Sequence, residues 1–256
     1  MKTLFDLYYT DAEDTARTLD IYLPESKPET IFLYMHGGGL DHGNKRHAAE
    51  IISKYLTDRG IAYVSIEYRM YPDAKYPDFI NDAAEAVKYI ITKKDEYFGG
   101  CDKLYVGGSS AGGYLSMMLC FDERYLKGVG LDNSCIAGYF HDAGQPTAHF
   151  RTLAERGIDS RRLIVDETSP MYHVGTAESY PPMRFIVSDN DMKGRYEQTM
   201  LMLSVLSHFG YDSYDHIVMN GTHCAYVRRI DESGDSVLGQ MVYSFIESVK
   251  NGTIGK

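Results

Sequence analysis

Short runs of β-branched and aromatic residues alternate along the chain with stretches whose apolar residues recur at spacings of three and four. The first pattern suits strands, whose successive side chains point to opposite faces, and the second suits helices with one buried stripe. Two opening runs, LFDLYY and TLDIYL, have no helical stretch between them and are expected to pair antiparallel. After them TIFLYMH, AYVSIEYR, KLYVGGS, VGLDNSCI, MRFIVS and YDHIVM read as central strands. Helical spacing fills most of the gaps, over residues 45–59, 79–93, 111–119, 195–208 and 236–249. Such alternation predicts an α/β fold, with helices on both faces of a mostly parallel sheet. The exception is residues 138–182, a connection too long for a turn. Long connections often carry function, and this one is expected to form a small cap or pocket wall from partly helical pieces.

At 256 residues, with no repeat and no Pro/Gly/Ser-rich linker, the chain is expected to fold as one domain, 1–256. Hydrophobic residues at 44% and charged residues at 24% are ordinary globular values. No apolar run approaches the roughly 20 residues that span a bilayer, and Asp6 interrupts the apolar start that an export signal would need. A formal charge of −10, with no basic cluster to offset it, argues against nucleic acid as a partner. Cys101, Cys120, Cys135 and Cys224 form no C-x-x-C pair, which fits reduced thiols better than a disulfide scaffold or a zinc site. The reading is a cytoplasmic protein acting on a small molecule, without membrane, metal or cofactor, and with a homodimer left open.

The strongest chemical signal is Gly108-Ser109-Ser110-Ala111-Gly112, a G-x-S-x-G placed between the strand KLYV and the apolar stretch YLSMML. A nucleophile elbow needs that context, because the serine must sit on a tight strand-to-helix turn where flanking side chains would collide. The helix start behind it also presents free N–H groups and a positive dipole end to a developing oxyanion. A second signal is His36-Gly37-Gly38-Gly39 at the end of TIFLYM. A glycine run lets several N–H groups converge on one oxygen, and no Lys-Ser or Lys-Thr pair follows that would favour a phosphate cradle. Gly38, Gly39 and Ala111 are therefore the expected oxyanion donors, with His36 shaping the loop.

HGGG at His36, EYR at Glu67 to Arg69 followed by YPDAKYP, Asp82 on the next helix, and GGSSAGG at Gly107 to Gly113 together resemble the hormone-sensitive-lipase-like esterases and their short bacterial relatives. The resemblance runs from about Leu19 to the last helix. It implies an eight-stranded α/β-hydrolase sheet, hydrolysis of carboxylic esters without a metal, and a structural role for EYR and Asp82. Three departures stand out: Leu40 where the family usually has an aromatic, Ser109 where many members have an acid, and no amino-terminal cap extension. They bear on substrate size rather than on the reaction.

In this fold the acid and then the histidine follow the serine in chain order. MRFIVS ends in Asp189-Asn190-Asp191, and the family's acid lies three residues beyond the small residue closing the strand, which selects Asp191 over its rival Asp189. YDHIVM leads into NGTHC, where His223 can reach the serine from the sheet's carboxyl edge. The other histidines lack this placement and are expected at the surface or on a pocket wall, and Cys224 is expected to be packed and inert. Leu40, Ser109, Tyr139 and His141 are candidate pocket residues, with Phe140, His149 and Phe150 extending an aromatic wall. The resulting expectation is a serine esterase for short acyl esters of a small alcohol, carbohydrate or phenolic. The alternatives are an arylformamidase or amidase using the same residues, and a hydrolase-fold receptor that has lost turnover.

Overall fold

The structure is a computed structural model and describes residues 1–255. The chain forms β1 (Lys2–Tyr8), β2 (Thr18–Leu23), β3 (Thr30–Met35), α1 (Ala49–Thr57), β4 (Ile61–Ile66), α2 (Asp78–Thr92), α3 (Lys94–Tyr97) and β5 (Leu104–Ser109). There follow α4 (Ala111–Phe121), α5 (Arg124–Gly128), β6 (Gly138–Asp142), α6 (Phe150–Glu155), β7 (Met183–Asn190), α7 (Arg195–His208), β8 (Tyr214–Thr222) and α8 (Val237–Lys250).

All eight strands join one sheet in the order β1-β2-β4-β3-β5-β6-β7-β8. Strands β1 and β2 are antiparallel, as is β2 with β4, and every later pairing is parallel. This is the α/β-hydrolase architecture that the family resemblance implies. Alternation along β3 shows how the two faces are covered. Ile31, Leu33 and Met35 enter a core shared with α2 and α4, whereas Phe32 and Tyr34 enter another shared with α1 and α8. Burying one such side chain is worth roughly 1.5–3 kcal/mol, so a register slip of one residue would sacrifice both layers. Helix α4 is buried along its whole length, which explains why its apolar residues run continuously instead of forming a stripe.

One strand lies elsewhere than expected. VGLDNSCI is not a strand: it leaves α5 and passes into a 3₁₀ turn, Asn133–Cys135, where the Asp132 side chain accepts from the Ser134 N–H. The strand between β5 and β7 is instead Gly138–Asp142, GYFHD. Residues 138–142 therefore belong to the sheet, and the connection to β7 contains α6 and a 3₁₀ turn at Pro170–His173. No helix among the described residues is long and apolar enough to cross a membrane.

The connection leaving β3 runs to β4 on one side, whereas the connection leaving β5 runs to β6 on the other. Loops leaving the carboxyl ends of β3 and β5 thus diverge, and the crevice between them is where open α/β sheets hold ligands.

Candidate active site

Ser110 occupies the turn between β5 and α4 with φ 56° and ψ −111°, a conformation that L-residues rarely adopt. Its N–H donates to the Asp142 carbonyl at 2.7 Å, fixing the turn to β6. Close approach requires glycine at Gly112, where a Cβ would run into the Met35 carbonyl. Ala111 opens α4, so its N–H is among those that a helix leaves without an internal partner.

His223 follows β8 directly. Its Nε2 lies 2.8 Å from Ser110 Oγ and its Nδ1 lies 2.5 Å from Asp191 Oδ1. The Asp191 side chain is fully buried, and it also accepts the backbone N–H groups of Met192 at 2.7 Å and Ser188 at 3.1 Å. Burial alone would raise its carboxyl, but the His223 contact and these two amides hold it below the usual carboxylate range. Asp189 turns away and caps the β8 turn, accepting from the Gly221 N–H at 2.9 Å and the Asn220 amide at 3.1 Å. Of the two aspartates, Asp191 meets the histidine.

The HGGG loop is held from beneath. The His36 ring stacks on Tyr68 with centroids 4.5 Å apart, its Nδ1 lies 2.7 Å from the Gly37 carbonyl, and its Nε2 is 3.2 Å from Glu67 Oε2. Although burial would raise Glu67, the neighbouring His36 and Lys45 groups keep its carboxyl lowered. Arg69 grips Asp82 through its backbone N–H at 3.0 Å and its guanidinium at 2.8–3.2 Å. EYR and Asp82 thus form a brace under the loop. Gly38 has φ +122° and no room for a Cβ beside the His42 carbonyl, so the loop's path depends on glycine there.

Gly37, Gly38, Gly39, Ser110 and His223 open onto a cavity of about 360 Å³, whose further walls include His42, His47, Phe150, Met192 and Val227. This is near the lower end for small-molecule sites. Ser109 reaches the cavity, as expected. Leu40, Tyr139 and His141 do not. Leu40 is fully buried in the core on the α2 and α4 side, and its backbone carbonyl accepts from the Tyr71 N–H at 2.8 Å. Tyr139 and His141 share a face of β6 that points inward, where their rings stack with centroids 5.6 Å apart. His141 Nδ1 also lies 2.9 Å from Ser116 Oγ, its Nε2 is buried without a partner, and burial pushes the imidazole down to about 3. Phe150 supplies the aromatic wall, while His149 is buried behind it, its imidazole lowered to about 3 by burial and by Arg195. Met192 and Val227 were not legible as wall residues. The only hint for Met192 is its place directly after the selected aspartate.

Cys224 lines the same cavity, with its Sγ 3.7 Å from His223 Nε2, and burial pushes its thiol well up. That environment disfavours the thiolate and fits an inert packing role. No group of three or more histidine, cysteine, aspartate or glutamate side chains that could hold a metal lies among the described residues.

A protein-family profile, BD-FAE, matches residues 19–149, half of the chain. The chain belongs to the BD-FAE family. The matched span carries the HGGG loop, the EYR brace, Asp82 and the serine turn, and stops before Asp191 and His223. Among relatives of this family member, esterase LipC of Mycobacterium tuberculosis is 26% identical over 200 residues, 70% of this chain and 49% of that protein. An acetyl esterase of Salmonella schwarzengrund is 30% identical over 100 residues, covering 39% of this chain and 31% of its own length. The chain therefore spans half or less of the curated relatives it matches. Esterase B of Lactobacillus rhamnosis superposes with a TM-score of 0.77 at 20% identity, over 98% of this chain and 87% of that one. A truncated carbohydrate esterase from gut microbiota gives 0.77 at 19% identity, over 98% and 97%. These likenesses show a shared fold from end to end.

Proposed function

We propose that the protein hydrolyses carboxylic esters with short acyl groups through an acyl-enzyme on Ser110. The observation that carries this reading is the unbroken line Ser110–His223–Asp191, at 2.8 Å and 2.5 Å, opening onto the cavity beside the glycine loop. In the first step Ser110 Oγ attacks the ester carbonyl carbon and His223 Nε2 takes its proton, while Asp191 fixes the ring. The carbonyl π electrons move to oxygen, and the N–H groups of Gly38, Gly39 and Ala111 receive that oxyanion. Collapse expels the alcohol, which leaves with the proton from His223. Water then repeats the sequence on the acyl-serine and releases the acid. One oxyanion donor in related chemistry is worth about 3–4 kcal/mol, so three converging donors would supply a large share of the rate.

Short acyl groups are favoured by the size of the cavity and by the closeness of Phe150 to Gly39, where a Cβ would stand 3.1 Å from the ring. The acetyl and carbohydrate esterases among the relatives point to acetylated small alcohols or sugars as first substrates. Four free cysteines support a reducing compartment such as the cytoplasm.

The test is a fluorophosphonate probe followed by peptide mass mapping, alongside turnover of p-nitrophenyl acetate, formanilide and acetylated sugars. The expected result is a single adduct on Ser110, abolished in Ser110→Ala, with esters turned over faster than the formanilide. Ester turnover that survives in a folded Ser110→Ala protein would overturn the assignment.

A further inference from the structure

The side chain of Asp142 is buried at the carboxyl end of β6, beside Ser109 in the register of β5 with β6. Both of its oxygens are occupied by hydroxyls: Ser109 Oγ donates to Oδ2 and the Tyr226 hydroxyl donates to Oδ1. Behind Ser109, the Tyr34 hydroxyl donates to the serine oxygen at 2.8 Å, extending the chain to β3. Ser109 immediately precedes the nucleophile, and Tyr226 lies one turn past the base on the loop after β8. Two turns that must keep a fixed separation are therefore tied to one carboxylate, whose own main-chain carbonyl holds the Ser110 N–H.

A buried carboxylate is a costly way to join two hydroxyls if joining is all it does, since a neutral group would avoid the desolvation. His223 is among the groups whose charge acts on it, and the other titratable groups around it are Tyr34 on β3, Asp191 after β7, and Cys224 and Tyr226 after β8. Arg195 on α7 stands behind, its guanidinium donating to the carbonyl of the adjacent Ala143.

Resting on the ester-hydrolase reading above, we propose that Asp142 is a positioning residue for that reaction: it locks the serine and histidine turns together and sets a fixed negative charge against the imidazolium formed during acyl transfer. Burial pushes its carboxyl up to about 6, against the hydrogen bonds from Ser109 and Tyr226 and the nearby His223, which pull it down. The charge is thus present above about pH 6 and lost as pH falls through that value. Protonation of Asp142 then adds a loss of activity on the acid side.

The test compares wild type, Asp142→Asn and Tyr226→Phe by kcat and KM for p-nitrophenyl acetate from pH 5 to 9, with a thermal melt for each. For Asp142→Asn at pH 8 we expect kcat to fall about tenfold, equivalent to about one pKa unit of interaction between two charges. KM should stay within about twofold, because the interaction is made in the transition state. The acid limb of log kcat/KM should lose the extra step, of about tenfold near pH 6, that protonation of Asp142 adds in wild type, since that titrating group is removed. Tyr226→Phe keeps the carboxylate but removes a donor to its charged form, so its acid limb should move to higher pH. A folded Asp142→Asn enzyme with wild-type kcat and an unchanged acid limb overturns the proposal. If that variant does not fold, a Tyr226→Phe profile superposable on wild type overturns it alone. Wild type that neither turns over the ester nor takes the fluorophosphonate on Ser110 would instead sink the hydrolase reading, a distinct failure.

Discussion

Asp191 presents one carboxylate oxygen to His223 at 2.5 Å and the other to the backbone N–H of Ser188 at 3.1 Å, so the strand that ends beneath the site also aims the imidazole. An acid held in this way fixes which ring nitrogen faces the serine. Replacing it with asparagine would leave the shape and invert the tautomer preference.

Asp191→Asn is therefore expected to lower kcat by about 10⁴, the size of the effect in a serine triad where the same exchange has been made. Asp189→Asn should keep nearly all activity, because that side chain only caps Gly221 and Asn220. Steady-state kinetics on the two variants separate the candidates, and equal losses would count against Asp191.

Phe150 is carried by α6 and closes the cavity opposite Gly39. Phe150→Ala should shift preference toward longer acyl chains. The change is expected in the ratio of kcat/KM for p-nitrophenyl hexanoate over acetate, by about 10-fold or more, since each methylene accommodated is worth roughly 1–3 kcal/mol. An unchanged ratio would place the acyl group elsewhere.

Asp82 is buried and accepts three kinds of bond from Arg69. Asp82→Ala leaves the half-buried guanidinium without its partner and should cost about 3 kcal/mol in urea unfolding. The distances along the catalytic line are untouched, so the remaining folded enzyme should retain activity at low temperature. A loss below about 0.5 kcal/mol, the range of an exposed pair, would show that the brace is dispensable.

His141 is buried, with its folded value lowered from 6.5 to about 3. Above pH 6.5 it is neutral in both states and contributes no pH dependence. As pH falls below that value the unfolded chain takes up a proton that the native state refuses until about pH 3, so stability is lost in that window. The contribution is about 1.4 kcal/mol per pH unit. His141→Phe should remove it, giving a flatter dependence of unfolding free energy between pH 6 and 4 than wild type. Parallel curves for the two proteins would contradict a neutral buried imidazole.

The sequence disclosed those parts of the molecule in which local pattern and tertiary role agree. TIFLYM and MRFIVS are apolar because both faces of the sheet are covered, and the elbow and HGGG declare themselves because only glycine fits there. It misled where the two diverge. GYFHD falls at the start of the stretch read as a long connection, yet neighbours on both sides impose a strand, and its polar side chains find partners distant in sequence: Ser116 for His141 Nδ1, and Ser109 with Tyr226 for Asp142. VGLDNSCI begins directly at the end of α5, and Asp132 caps it into a turn. The pocket wall was hidden for a similar reason. Whether Tyr139 or Phe150 faces the ligand depends on what covers each face of β6 and where α6 comes to rest, and neither is written in local spacing.

The ion pair between Arg151 and Asp41 joins α6 to the loop that follows HGGG, next to the contact of Phe150 with Gly39. The wall of the cavity is thus a separate segment fastened to the rim, while the reacting groups stand on strand ends anchored in the core. On the proposed ester-hydrolase reading, substitutions in α6 would retune which ester enters without disturbing how it is cleaved, so specificity in this scaffold would be free to drift while the chemistry stays constant.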